Sequence, residues 1–111
     1  MSRIAYVNGQ YVSHRDGAVH IEDRGYQFGD GVYEVVLVHN SKLMDCEGHI
    51  TRLERSLSKM DMPMPVSRPC LIMILRRMIS LNYIKKGILY LQVTRGVAPR
   101  DHKYPAHSIP A

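Results

Sequence analysis

The sequence predicts an α+β domain, a small sheet packed with two helices, and three observations carry that prediction. Val32–Val38 alternates as a strand does, two apolar stripes recur at helical spacing between Asp45 and Ile79, and the apolar run Ile88–Val93 returns to strand character. With 111 residues and a hydrophobic fraction of 45%, the chain amounts to one domain, which can bury about two thirds of its unfolded surface. It contains no internal repeat and no low-complexity tract.

Taken in order, Ile4–Val7 and Gln10–Val12 flank Asn8-Gly9, a pair that tolerates the positive φ of a type I′ hairpin turn. Ser13 to Ile21 is polar around Gly17 and predicts a surface connection. Glu22 to Val36 then reads as a loop feeding a strand, with Gly25, Gly29 and Gly31 allowing close backbone approach. Along Val32–Val38, Tyr33, Val35 and Leu37 fall on one face. The other face carries Val32, Glu34, Val36 and Val38, so Glu34 interrupts an apolar surface. His39 to Lys42 is a turn, and Leu43 and Met44 begin a short return strand.

Ile50, Leu53, Leu57 and Met60 define the first helix, with Asp45 as its expected N-cap. Met62-Pro63-Met64-Pro65 ends it, and Ser67 with Pro69 starts a second helix striped by Leu71, Ile74, Leu75, Met78 and Ile79. Ile88–Val93 is suited to a strand covered on both faces and central in its sheet. The prolines at 99, 105 and 110 predict an extended loop over 97–111 without ladder pairing of its own.

A net charge of +5 points to an anionic partner, either a phosphate-bearing ligand or nucleic acid. The nucleic-acid reading is disfavoured because the basic residues are dispersed over several elements and no recognised nucleic-acid motif is present. Two cysteines, Cys46 and Cys70, are too few for a disulfide scaffold, and free thiols are expected, as in a reducing compartment. The N-terminus has no apolar leader region, and the run Cys70–Leu75 is broken by Arg76 and Arg77, so a soluble, cytoplasmic protein without membrane association is expected.

Several side chains are candidates for chemistry. Arg52, read as early in the first helix, could hold a phosphate together with free backbone N–H groups, although Arg55 and Lys59 at helical spacing also fit a solvated face. Arg100 and His102 are two apart in an extended segment, so both should project to one side while Asp101 points away. A carboxylate fits that pair, which also reads as two exposed loop residues. Tyr33, His49 and Glu34 are further candidates, each with a structural alternative. Neither cysteine belongs to a metal-spaced cluster or has an evident catalytic partner.

These pieces match a family in order and spacing. The run Arg24-Gly25-Tyr26-Gln27-Phe28-Gly29-Asp30-Gly31-Val32-Tyr33-Glu34-Val35, then His49-Ile50-Thr51-Arg52-Leu53, then Gln92-Val93-Thr94-Arg95-Gly96 with Pro99-Arg100-Asp101-His102, closely resembles the N-terminal part of D-amino acid aminotransferases. These are class IV aminotransferases, in the fold-type IV branch of pyridoxal 5'-phosphate (PLP) enzymes. The resemblance implies that Arg52 binds the PLP phosphate and that Tyr33, Arg100 and His102 bind the substrate α-carboxylate. It further implies a homodimer in which Arg100 and His102 reach into the partner's site. The substrates it implies are a D-amino acid and a 2-oxo acid. Branched-chain aminotransferase and 4-amino-4-deoxychorismate lyase share the fold, and Tyr33 with Arg100-x-His102 favours the D-amino acid branch.

A PLP transaminase needs a Schiff-base lysine and a buried acid for the pyridine nitrogen. In the family both lie in the second domain, beyond residue 111. Lys42, Lys59, Lys85, Lys86 and Lys103 fall in turns, on a polar helix face or in the tail, where nothing desolvates them. The expectation is a truncated N-terminal domain lacking its second domain and any catalytic lysine, inactive alone. Its open sheet edge would promote self-association. The non-enzyme alternative is a standalone basic module for an acidic partner.

Overall fold

The computed structural model describes residues 3–103. Strands β1 (Ile4–Val7) and β2 (Gln10–Ser13) form an antiparallel hairpin, with Val7 opposite Gln10. Its turn residue Asn8 takes φ 48°, as a type I′ turn requires. The hairpin is a separate two-stranded sheet docked on helix α3 (Arg68–Asn82). Asn82 fixes it there: the Ile4 N–H donates to Asn82 Oδ1 at 2.8 Å, and Asn82 Nδ2 donates to the Ile4 carbonyl at 3.1 Å.

The main sheet is β4-β3-β5, all antiparallel: β3 (Gly31–His39), β4 (Lys42–Leu43) and β5 (Lys86–Thr94). β3 and β5 pair along their whole length, from Gly31 opposite Thr94 to His39 opposite Lys86. Helices α2 (Cys46–Lys59) and α3 contribute the two apolar stripes expected of them. Val36, Val38 and Leu89 of the sheet pack with Leu75 and Ile79 of α3, while Val93 packs with Leu53 and Leu57 of α2 and with Met62. Arg68 ties the helices together, donating to Glu54 Oε1 at 2.6 Å and Thr51 Oγ1 at 2.7 Å. Ser67 caps α3 by accepting from the Cys70 N–H at 3.3 Å.

Four expectations need correction. The glycine-rich stretch is not simply a loop, because Arg24–Phe28 forms a short third helix, α1. Asp23 Oδ1 accepts from the Gly25 N–H at 2.8 Å to start it, and Gly29 at φ 64° ends it. Its glycines do serve close approach: a Cβ on Gly25 would lie 2.2 Å from Thr94 Cγ2, and one on Gly31 2.6 Å from the Val93 carbonyl oxygen.

Asp45 precedes α2 as expected but caps nothing with its side chain. Its φ of 52° departs from the extended geometry that aims a capping oxygen at the next turn. The strand expected to be central and doubly covered, β5, lies at the edge of the sheet among the described residues, and β3 is central. Ile88 and Tyr90 are exposed on the same uncovered face as Tyr33 and Leu37. Last, residue 97 is not free of pairing, because Val97 bridges Asp23 antiparallel. Pro105 and Pro110 lie outside the described residues.

Among the described residues, no helix is long and apolar enough to cross a membrane. The two faces of β3 differ in what a truncation should do. Leu53→Ala empties a site 1% exposed beneath the sheet and should cost about 2–5 kcal/mol, whereas Leu37→Ala, 60% exposed on the far face, should cost no more than about 0.5 kcal/mol. Urea unfolding of the two variants checks this.

Candidate functional site

Strand alternation sends Glu34 to the helix side of β3 and Tyr33 to the open side. Glu34 is buried, and a buried carboxylate needs partners. His49 and Arg52, one helical turn apart on α2, supply them. Arg52 Nε donates to Glu34 Oε2 and a terminal nitrogen donates to Oε1, both at 2.8 Å, a bidentate fork. His49 Nδ1 lies 2.7 Å from the same Oε1. The Arg52 hydrogen bond chiefly, then that of His49, outweighs burial and holds the Glu34 carboxyl below its usual range.

Arg52 itself is 62% exposed. It sits in the middle of α2 and not in the first turn, so the expected partnership with free helix N–H groups is replaced by Glu34. Two of the guanidinium's five N–H groups go to Glu34 in this fork, leaving three for an anion on the solvent side. A cation locked in direction by a buried carboxylate and open on its other edge is suited to hold an anion there.

Tyr33 projects from the opposite face of β3, where its ring stacks on Tyr90 with centroids 5.8 Å apart. Tyr90 OH donates to Gln92 Oε1 at 2.9 Å, so this face carries phenol and amide groups among apolar side chains. Arg100 and His102 come together as their spacing predicts, both against Phe28 of α1. The Arg100 guanidinium carbon is 5.8 Å from the Phe28 ring centroid, and the His102 ring meets Phe28 edge-on at 5.4 Å. Asp101 turns otherwise, its Oδ1 accepting the Lys103 N–H at 3.0 Å. A shallow hollow of about 210 Å³ is lined by Arg24, Phe28, Gly29, Asp30, Met60 and His102. The described contacts join Arg52 to Glu34 and Arg100 to His102 through Phe28, but they do not join either group to Tyr33.

A cluster that sequence reasoning missed supplies two residues to the wall of this hollow, Arg24 and Asp30. Asp30 Oδ2 accepts from Nε of both Arg24 and Arg95 at 2.8 Å, and all three side chains are buried. Burial pushes the Asp30 carboxyl up, but the hydrogen bonds and charges of Arg95 and Arg24 prevail and hold it below the usual range. Arg95 also donates to the Met60 carbonyl at 2.8 Å. Cys46 is a free thiol whose pKa burial raises, the opposite of an activated nucleophile. Among the described residues, no group of three or more His, Cys, Asp or Glu could hold a metal ion.

The sequence profile of the family "Amino-transferase class IV" matches residues 31–111. The chain belongs to the class IV aminotransferases. A D-alanine aminotransferase of Listeria monocytogenes serotype 4b (strain F2365) is 49% identical over 100 residues, covering 89% of this chain and 35% of that protein. The branched-chain amino acid aminotransferase of Escherichia coli shares the fold with a TM-score of 0.85 at 21% identity, over 93% of this chain and 35% of that one. A hypothetical aminotransferase from Mycobacterium tuberculosis, in a PLP-bound form, gives a TM-score of 0.76 at 24% identity, over 93% of this chain and 34% of that one. This class IV chain thus spans about a third of the length of the curated relatives it matches. The fold expectation, helices against a small sheet as in the solved aminotransferase structures, holds, with α1 as a third helix.

Both buried carboxylates bind fewer protons when folded than when unfolded near pH 4, because their folded pKa values are depressed. The stability they contribute is therefore complete above the unfolded carboxylate values and lost as pH falls through the folded ones. The urea midpoint should be level from about pH 6 to pH 5 and fall steeply below about pH 4.5. Glu34→Gln should lower the midpoint at pH 6 and flatten that acid limb, and an acid limb parallel to wild type would show that Glu34 carries none of it.

Proposed function

We propose that this chain is the N-terminal part of a PLP-dependent D-amino acid aminotransferase, which moves an amino group between a D-amino acid and a 2-oxo acid. The observation that carries the reading is the Glu34 fork, which leaves an oriented, exposed Arg52 in a chain 49% identical to a D-alanine aminotransferase. Arg52 is the phosphate anchor, His49 and Glu34 hold its direction, and Tyr33, Arg100 and His102 are the carboxylate contacts. When bound, PLP supplies the electron sink that labilises the substrate's α-proton.

The residues of this chain bind and orient. An arginine fork donates two parallel hydrogen bonds to a carboxylate, and the imidazole and phenol add single donors, so the substrate's carboxylate end is fixed and its α-carbon is aimed. The open face of β3 and β5, with Tyr33, Leu37, Ile88 and Tyr90 exposed, offers an apolar wall that excludes water once covered. No described contact joins Tyr33 to the Arg100–His102 pair, which accords with a homodimer in which that pair serves the partner's site.

All five lysines, Lys42, Lys59, Lys85, Lys86 and Lys103, are exposed, which supports the reading that the cofactor-bearing lysine, and with it the acid for the pyridine nitrogen, is supplied by a C-terminal domain. We further propose a cytoplasmic enzyme, in keeping with two free thiols. A standalone basic module for an acidic partner or nucleic acid is the weaker reading, because the basic residues are dispersed over several elements and Arg68 is engaged by Glu47 and Glu54 of this chain.

Activity assays decide the matter. The natural gene product should have an intact mass well above 12.7 kDa and turn over D-alanine with 2-oxoglutarate, while the purified 111-residue chain should show no turnover. Turnover by the 111-residue chain would overturn the division of labour between domains, and a preference for L-leucine over D-alanine would move the protein to the branched-chain group.

A further inference from the structure

Arg100 and His102 stand on a segment with no strand or helix of its own, eight residues beyond the end of β5 at its far end. Something else must set where they point. Asp30 lies at the start of the answer. Its Oδ2 grips Nε of Arg95, at the root of the segment, and Nε of Arg24, both at 2.8 Å. Arg24 then reaches the segment's far end, donating from a terminal nitrogen to the Asp101 carbonyl. Its guanidinium carbon lies 4.6 Å from the centroid of Phe28, the same ring that contacts Arg100 and His102. Backbone hydrogen bonds follow the same path: the Arg24 N–H donates to the Gly96 carbonyl at 2.8 Å, the Arg95 N–H to the Asp30 carbonyl at 3.0 Å, and the Ala98 N–H to the Glu22 carbonyl at 3.3 Å.

We propose that the buried unit Arg24–Asp30–Arg95 is a positioning device that fixes the segment bearing Arg100 and His102. The proposal deepens the reading of that pair as carboxylate contacts and rests on it for its functional meaning. Two guanidinium groups share one carboxylate oxygen, while Asp30 Oδ1 is buried with no hydrogen-bond partner among the described atoms. Buried ion pairs of this kind stabilise poorly against well-packed apolar replacements, so specifying geometry is the better account of this one. The chain of contacts is directional. Asp30 aims Arg24, Arg24 holds Asp101 and supports Phe28, and Phe28 sets the side to which Arg100 and His102 project.

NMR of the 111-residue chain, without cofactor or substrate, tests it. In the wild type the His102 ring protons should be shifted by the Phe28 ring, and the Ala98 amide should be protected. Arg24→Lys keeps the positive charge beside Asp30 and loses the hydrogen bond to the Asp101 carbonyl, so the fold should survive. The His102 shifts should then move to those of a free histidine, and Ala98 exchange should quicken at least about tenfold, with the methyl signals of Val36 and Leu53 unchanged. Asp30→Asn should do the same more strongly. Unmoved His102 and Ala98 signals in Arg24→Lys would overturn the proposal. So would loss of the Val36 and Leu53 signals together with those of the segment in Arg24→Lys, because the unit would then be holding the whole domain. Since the readout involves no ligand, failure of the carboxylate reading in a substrate assay leaves this result standing, and the reverse.

Discussion

One carboxylate organises the helix side of this domain. Glu34 occupies a position on β3 between residues that the sheet buries, where an unpaired charge would be untenable. Its two oxygens are satisfied by α2, through the Arg52 fork and His49. The same interaction therefore sets the register of α2 against the sheet, which Leu53 and Leu57 then seal, and gives Arg52 its direction. Packing and function are not separable here: the residue that would hold an anion is held by the strand that the core is built on.

Asp30 repeats the device at the other end of the site, just before the same strand. There too a buried carboxylate commits arginines, and there too exposed cationic side chains lie downstream of it. The net charge of +5 is thus not a diffuse basic surface. Among the basic side chains, Arg24 and Arg95 are committed to the buried Asp30, while Arg52 and the Arg100–His102 pair are presented as two directed groups. A third contributor, Tyr33, stands on the open face of β3 and β5.

Much of this was legible in the sequence. Period-two alternation put Glu34 and Tyr33 on opposite faces, period-3.6 stripes gave α2 and α3, and Asn8-Gly9 gave the hairpin, because each is a local consequence of backbone geometry. The odd carboxylate on an apolar face marked Glu34, and spacing paired Arg100 with His102. What escaped was either too short or too distant. A five-residue helix containing a glycine has no measurable period, although Asp23 and Gly29 bracket it with start and stop residues. The Asp30–Arg95 contact joins residues 65 apart, which no local pattern reports. The apolar run of β5 reads as doubly buried because an exposed apolar face and a covered one have the same composition.

The central claim is that Glu34 holds Arg52 in one direction, and the Arg52 side-chain Nε–H signal in an ¹⁵N spectrum measures it most directly. This proton should exchange with water far more slowly than that of the exposed Arg55, and in Glu34→Gln its exchange should rise towards that of Arg55. An Arg52 Nε–H that exchanges as fast as that of Arg55 in the unaltered chain would contradict the account.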